Sequence, residues 1–152
     1  TIFRRAIEEN LINPHKMVQI GQRTTGYSAD DFEWVRQQGV RLVNAEECWY
    51  QSLTPLMAEV GEAIGTETPV YLSFDIDGID PAFAPGTGTP EPGGLTNTQA
   101  IEIIRGCWGL NLVGSDLVEV SPQYDTTGNT ALLAANLVFE MLCSFPGCLR
   151  RD

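Results

Sequence analysis

Apolar positions along this chain fall into two alternating kinds of segment, short continuous runs and longer stretches with helical spacing. Residues 1–10 have the look of a short helix, closed by the turn composition around Asn13-Pro14. Met17–Gly21 is a short apolar run stopped by glycine, which predicts a first strand. Ser28 followed by Asp30 and Asp31 forms a helix start, with acids in the first turn, and that helix runs to about Gln38 before Gly39. Arg41–Ala45 is a second strand. Ser52 or Thr54 opens a helix with Leu56, Val60 and Ile64 on one side and Gly65 beyond its end. Val70–Phe74 is almost unbroken in apolar and aromatic residues, as expected of a strand buried on both faces. Ala100, Ile103, Ile104 and Cys107 share one side of a helix over residues 96–107. Leu112–Val120 is a fourth strand, and Gly128-Asn129-Thr130 caps a long apolar helix from Ala131 to about Cys143.

One segment breaks the alternation. Ala84–Gly94 holds three prolines and four glycines, which excludes helix and central strand alike. Flexible linkers are richer in serine and poorer in proline, so this stretch is expected to be a rigid wall of fixed turns. The remaining alternation of strand and helix predicts parallel pairing in a doubly wound α/β sheet. Ligands of such sheets bind outside the carboxyl ends of the strands.

Chemistry gathers at those ends. Asp75 and Asp77 follow the central run, and a period of two sends both carboxylates to the same side. Two uncompensated carboxylates at the end of a buried strand repel each other and resist desolvation, and a bound cation relieves both penalties. Glu119 falls at the end of the fourth strand. Asp116 precedes it, with structural and supporting roles equally open, and Asp80 before Pro81 reads as a turn residue.

Composition narrows the partners. The chain has 152 residues, 43% of them hydrophobic, which is one domain's worth of sequence. A net charge of -11 argues against nucleic acid or an anionic membrane surface. Ten acids and no basic residue lie between Arg41 and Arg105, and the Glu46, Glu47, Glu59, Glu62 and Glu67 group reads as solvated surface. No stretch approaches the ~20 apolar residues of a membrane span. Cys48, Cys107, Cys143 and Cys148 are scattered, and buried thiols in an intracellular protein are expected of them. The single histidine, His15, is expected at the surface.

Two rival motifs fail on their details. Asp75-x-Asp77-Gly78 starts like a calcium loop, but Ile79 and Gly86 stand at its fifth and twelfth positions and Pro81 interrupts it. Gly86-Thr-Gly88 does not join a strand directly to a helix and is flanked by prolines, unlike a nucleotide-binding turn.

The run Ser73-Phe-Asp-Ile-Asp-Gly-Ile-Asp-Pro through Gly94-Leu95 resembles the signature of the ureohydrolases, the arginase and agmatinase family. Asp116-Leu-Val-Glu-Val-Ser-Pro122 is similar to a second family segment, and Gly128–Asn136 to the family's C-terminal helix. The resemblance implies an arginase-like three-layer α/β/α fold with a doubly wound parallel sheet. It implies a hydrolase with two Mn2+ ions that splits a guanidinium group into urea and an amine. Asp75 and Asp77 then match metal ligands, and Glu119 the catalytic, substrate-pairing glutamate. Carboxylate and guanidinium meet as a two-pronged fork, which both orients and selects the substrate.

The family's Gly-Gly-Asp-His and Asp-x-His-x-Asp segments, which carry its other metal ligands, do not occur here. Residues 1–152 are therefore expected to be the C-terminal part of one ureohydrolase domain, inactive alone, with an unpaired edge or exposed helix-packing faces at its first strand. Family members imply a homo-oligomer, trimer or hexamer, in the cytoplasm or mitochondria. The turn Gly21-Gln-Arg23-Thr-Thr-Gly-Tyr27 lacks the acid with which arginases hold an amino-acid ammonium group. That favours an agmatine-type substrate; an ω-guanidino acid such as 4-guanidinobutyrate or 3-guanidinopropionate is the alternative, with Thr24, Thr25 and Tyr27 hydroxyls to meet its carboxylate. A reading of another class is a non-catalytic module that binds a guanidinium or a partner.

Overall fold

The computed structural model describes residues 2–23 and 30–148. Helix α1 (Ile2–Glu8) leads through a 3-10 turn at Pro14–Lys16 into β1 (Val18–Gln22). Helix α2 (Asp30–Gln37) follows, then β2 (Arg41–Asn44) and the short α3 (Ala45–Cys48). Helix α4 (Thr54–Ile64) precedes β3 (Pro69–Asp75). After the proline- and glycine-rich segment come α5 (Asn97–Gly106), β4 (Asn111–Val118) and α6 (Asn129–Ser144). The expected alternation is present, and both strand pairings are parallel.

The strands do not close into one four-stranded sheet among the described residues. β1 pairs with β2 and β3 with β4, as two separate ribbons. A shared core nonetheless joins them. Val43, Leu53, Met57, Val60, Ile64, Leu95 and Leu112 are buried together, with Val18 and Ile20 of one ribbon and Val70 and Leu72 of the other packed against them. A second cluster places Phe74, Ile76 and Ile79 against Ala100 and Ile104 of α5 and Leu137 and Met141 of α6. Each large side chain buried this way contributes about 1.5–3 kcal/mol of transfer free energy.

Only one face of the β3–β4 ribbon is covered by α5 and α6. On the other, Tyr71 and Val113 remain 57% and 62% exposed. Tyr71, Ser73 and Asp75 alternate with the buried positions along β3, so the reading of a strand buried on both faces is corrected to one covered face. Gly21 does not end β1. It sits inside the strand at φ +88°, where the register to β2 shifts.

Local chemistry explains three element boundaries that hydropathy leaves open. α3 exists because Asn44 and Glu47 form a reciprocal capping box. Thr96 and Gln99 do the same for α5. Gly128, the residue before α6, offers no side chain; Asp125 supplies the cap, accepting from the backbone N–H of Thr127, Gly128 and Thr130. The Ser28 cap of α2 lies outside the described residues. Burial of all four cysteines is corrected as well: Cys48 and Cys107 are buried, with thiols pushed up to about 11 mainly by desolvation, but Cys143 and Cys148 are exposed. His15 is at the surface, as expected.

Candidate active site

β3 and β4 run side by side, Asp75 opposite Val118, so their carboxyl ends lie together at one end of the ribbon. Strand geometry ends at Asp75. The next residues form a 3-10 turn, Ile76–Gly78, and Asp77 N–H donates to Asp75 Oδ1 at 2.9 Å. The two aspartates are thus brought together by a side-chain turn, not by continued strand alternation. Glu119 is the first residue after β4 and adopts φ +67°, a conformation that L residues rarely hold. Its side chain is exposed and takes no hydrogen bond from the described residues.

The three carboxylates stand near enough for Asp75 to feel the charges of the other two. Desolvation raises the Asp75 pKa above its usual carboxylate value; the neighbouring charges of Asp77 and Glu119 push the same way, while the Asp77 N–H and Arg23 oppose them. A rim of three carboxylates is a place where a cation is welcome.

The segment from Ala84 to Gly94 is the rigid wall its composition predicts. Asp80 pins both of its ends: its carbonyl accepts from Ala84 N–H (3.1 Å), and its carboxylate accepts from Ala82 N–H (2.9 Å) just before the segment and from Gly93 N–H (2.7 Å) and Gly94 N–H (3.3 Å) at its close. The contacts to the carboxylate hold it below the ordinary value, the Ala82 N–H first among them. Gly94 passes so close to the Ile79–Asp80 backbone that a β-carbon would lie 2.6 Å from Asp80 N. Leu95 N–H donates to Gly78 O and Asp80 N–H to Leu95 O, both at 2.9 Å, closing the wall onto the turn. At its middle, Gly86 donates to Thr130 Oγ1 and accepts from Ser121 N–H.

Two threonines of the wall face inward. Thr89 Oγ1 donates to Asp77 Oδ2, and Thr87 Oγ1 reaches both Asp77 Oδ1 and the Glu119 carbonyl, the latter at 3.1 Å. A hydroxyl has one proton, so Thr87 gives it to one acceptor at a time. Either way this buried residue, 2% exposed, ties the end of β3 to the end of β4.

Arg23 supplies the other tie and was not singled out by sequence as a site residue. Its guanidinium donates to Gly21 O (3.0 Å), Gly78 O (3.1 Å) and Asp77 O, joining the end of β1 to the turn that carries the aspartates. Its Nε is buried with no partner among the described residues. Asp116 lies farther back, opposite Ser73, and accepts from Ser73 Oγ (2.6 Å) and Tyr71 Oη (2.9 Å) on the uncovered face. Tyr27, expected to meet the substrate, lies outside the described residues, as do Thr24 and Thr25.

The sequence profile of the arginase family matches residues 1–143, continuously across every element of this site. The chain belongs to the arginase family. Its arginase-type α/β fold is also that of proclavaminate amidino hydrolase from Streptomyces clavuligerus, which superposes with a TM-score of 0.88 at 43% identity, over 94% of this chain and 47% of that one. A guanidinobutyrase of Pseudomonas aeruginosa is 69% identical over 151 residues, 99% of this chain and 47% of the relative. A mitochondrial agmatinase of Gallus gallus is 60% identical over 147 residues, 97% of this chain and 43% of the relative. The chain therefore spans about half the length of the relatives it matches.

Among the described residues no group of three or more His, Cys, Asp and Glu side chains is arranged to hold a metal. Asp75 and Asp77 nevertheless keep carboxylate oxygens open to a cation. Asp75 Oδ2 is uncommitted by any hydrogen bond among the described residues, and each Asp77 oxygen keeps a lone pair beyond the threonine it accepts from. Hard carboxylate oxygens of this kind suit Mn2+, Mg2+ or Ca2+.

Proposed function

We propose that this chain is the C-terminal part of one ureohydrolase domain, and that the whole protein hydrolyses a linear guanidino compound to urea and an amine with Mn2+ bound. The observation that carries this reading is the Thr87 bridge. It sets Asp77, a candidate metal ligand, and Glu119, a candidate guanidinium partner, on one fixed frame. Asp75 and Asp77 would contribute to holding manganese, the remaining ligands coming from residues beyond this chain. Bound manganese supplies Lewis acidity toward water at neutral pH.

The chain's own residues do the rest. Glu119 accepts the substrate guanidinium in a two-pronged hydrogen bond, orienting its planar carbon across the crevice. The wall from Ala84 to Gly94 keeps Thr87 and Thr89 on Asp77, so that its carboxylate meets the site in one orientation. Arg23 stays committed to backbone carbonyls and does not compete with the substrate for Glu119.

For the substrate's tail we favour a carboxylate, as in 4-guanidinobutyrate, over the ammonium of agmatine. The support is the 69% identity to a guanidinobutyrase against 60% to an agmatinase. Urea release by the full-length, manganese-loaded protein from 4-guanidinobutyrate, 3-guanidinopropionate, agmatine and arginine is the test. Preference for agmatine would reverse the assignment of the tail. No urea from any of the four would overturn the hydrolase reading and leave a guanidinium-binding module.

A further inference from the structure

A side chain that follows the β1–β2 ribbon reaches across to the wall, and the proposed hydrolysis leaves it without a task. After α3 the chain passes through Trp49, Tyr50 and Gln51. Trp49 Nε1–H donates to Gly93 O at 2.9 Å, and its ring lies against Gly93, where an added β-carbon would stand 3.2 Å from the indole Cζ2. The turn that carries it is held from both flanks. Trp49 N–H donates to Glu46 O at 3.4 Å, and the side-chain amide of Gln99 in α5 donates to Cys48 O and to Gln51 O, the latter at 3.1 Å. The Gln51 amide in turn donates to Glu47 O. Tyr50 stands edge-on to the indole, 6.4 Å between ring centroids, and adopts φ +58°, which L residues rarely hold without constraint. The Tyr50 side chain is fully exposed, so what this strained turn holds in place is Trp49.

Gly93 sits where the wall closes onto the aspartate turn. Its N–H and that of Gly94 donate to Asp80 Oδ2, Leu95 N–H donates to Gly78 O, and Asp80 N–H donates to Leu95 O. Gly78, Ile79 and Asp80 directly follow Asp77. We propose that Trp49 is a positioning residue: from the β1–β2 side it fixes the closing end of the wall, and thereby the turn that presents Asp77 to the metal. The consequence for manganese rests on the hydrolase reading; the grip on the wall does not. An indole suits the task because its donor sits at the edge of a broad rigid plate, so one residue both covers the glycine and bonds its carbonyl. Phenylalanine keeps much of the plate and has no donor. With the Gly93 carbonyl released, Gly93–Leu95 leaves Asp80 and Gly78 more often, and the Asp77 carboxylate is less firmly oriented.

The test compares full-length wild-type and W49F protein, metal-free, by hydrogen exchange read with mass spectrometry. Loss of one hydrogen bond should speed exchange of the Gly93, Gly94 and Leu95 amides about 2- to 10-fold, while the amides of α6 keep their rates. Manganese titrated calorimetrically should bind about 3- to 10-fold more weakly, short of the loss expected when a direct partner of a metal ligand is removed. Glu119 is carried by the other strand, so KM for the guanidino substrate should hold while the lost kcat returns as manganese is raised. A Trp49 that served stability alone would leave the affinity of the folded fraction at the wild-type value. Benzothienylalanine at position 49, which keeps the ring shape and lacks the N–H, should reproduce W49F and serves where phenylalanine disturbs the fold. Wild-type exchange rates at residues 93–95 in both variants, or wild-type manganese affinity beside accelerated exchange, would overturn the proposal. A wild-type protein that binds no manganese would instead sink the hydrolase reading, and the exchange rates would still decide the grip of Trp49.

Discussion

Replacing Thr87 by valine isolates the bridge on which the site's geometry depends. Valine has almost the shape of threonine and would fill the same buried position, 2% exposed, so the change removes a hydroxyl and little else. What is lost is a hydrogen bond to a carboxylate, Asp77, and its alternative partner, the Glu119 carbonyl. A hydrogen bond to a charged group contributes about 1.5–3 kcal/mol net. The metal-free protein should therefore unfold at lower denaturant by an amount in that range. Thr89 still holds the other Asp77 oxygen, which keeps the loss toward the lower figure. Manganese affinity should fall roughly 10- to 100-fold, as when other groups that orient a metal-bound carboxylate are removed. T87S keeps the hydroxyl and should retain most of the affinity, separating the hydrogen bond from packing. Chemical denaturation of the metal-free protein, with calorimetric manganese titration, reads both effects. A T87V protein as stable and as tight for manganese as wild type would refute the bridge.

Glu119→Gln should leave manganese content intact while lowering kcat/KM for the guanidino substrate by about 3 kcal/mol, on the order of 100-fold, because the amide N–H opposes a guanidinium N–H; unchanged kinetics beside normal metal analysis would remove Glu119 from recognition. Gly94→Ala places a β-carbon 2.6 Å from Asp80 N and 2.9 Å from Gly78 O, so the wall must shift, at a cost of roughly 1–3 kcal/mol in urea denaturation; an unaltered midpoint would contradict the close approach. The Asp125 carboxyl is held well below its usual pKa by the Thr127 hydroxyl and the Thr130 N–H. The sign follows from linkage: a depressed folded-state pKa gives stability that is complete above the ordinary carboxylate value and drains away as pH falls below it. Asp125→Asn should therefore lower stability at neutral pH and flatten the acid limb of the stability curve; an acid limb as steep as wild type's would reject the capping role.

Much of the fold was legible because hydropathy acts locally. The runs at Val18–Ile20 and Val70–Phe74 and the helical spacing of Ala100, Ile103 and Ile104 each announce their element. Which strand pairs with which is not a local property. Nothing in Met17–Gly21 or Val70–Phe74 says that β1 and β3 belong to separate ribbons, and the exposed face of Tyr71 emerges only once the covering helices are placed. At the site, Asp75, Asp77 and Glu119 stand out in the sequence as carboxylates beside apolar runs and within a long family motif. Arg23 was missed as a tie because its partners are backbone carbonyls, which every residue carries and which leave no pattern. Asp125 was missed as a cap because a glycine stands at the helix start, and its carboxylate reaches across from a turn. Cys143 is exposed because it lies off the face of α6 that buries Leu137, Met141 and Ser144, and Cys148 lies beyond the end of that helix.

The arrangement of charge then explains why so much bonding surrounds so few site residues. Three carboxylates on two strand ends repel one another, and a non-glycine residue at φ +67° carries a further strain of roughly 1–3 kcal/mol. Left alone, the ends of β3 and β4 would relax apart. They are held from three sides: Arg23 grips the turn from β1, Asp80 pins the wall by its ends, and Thr87 clamps the two strand ends together. Each of these restraints consumes backbone or threonine groups and leaves Asp75 Oδ2 and the Glu119 carboxylate uncommitted. On the function proposed above, holding these anions open and rigid serves a cation and a cationic substrate, with Asp75 meeting the metal and Glu119 the guanidinium.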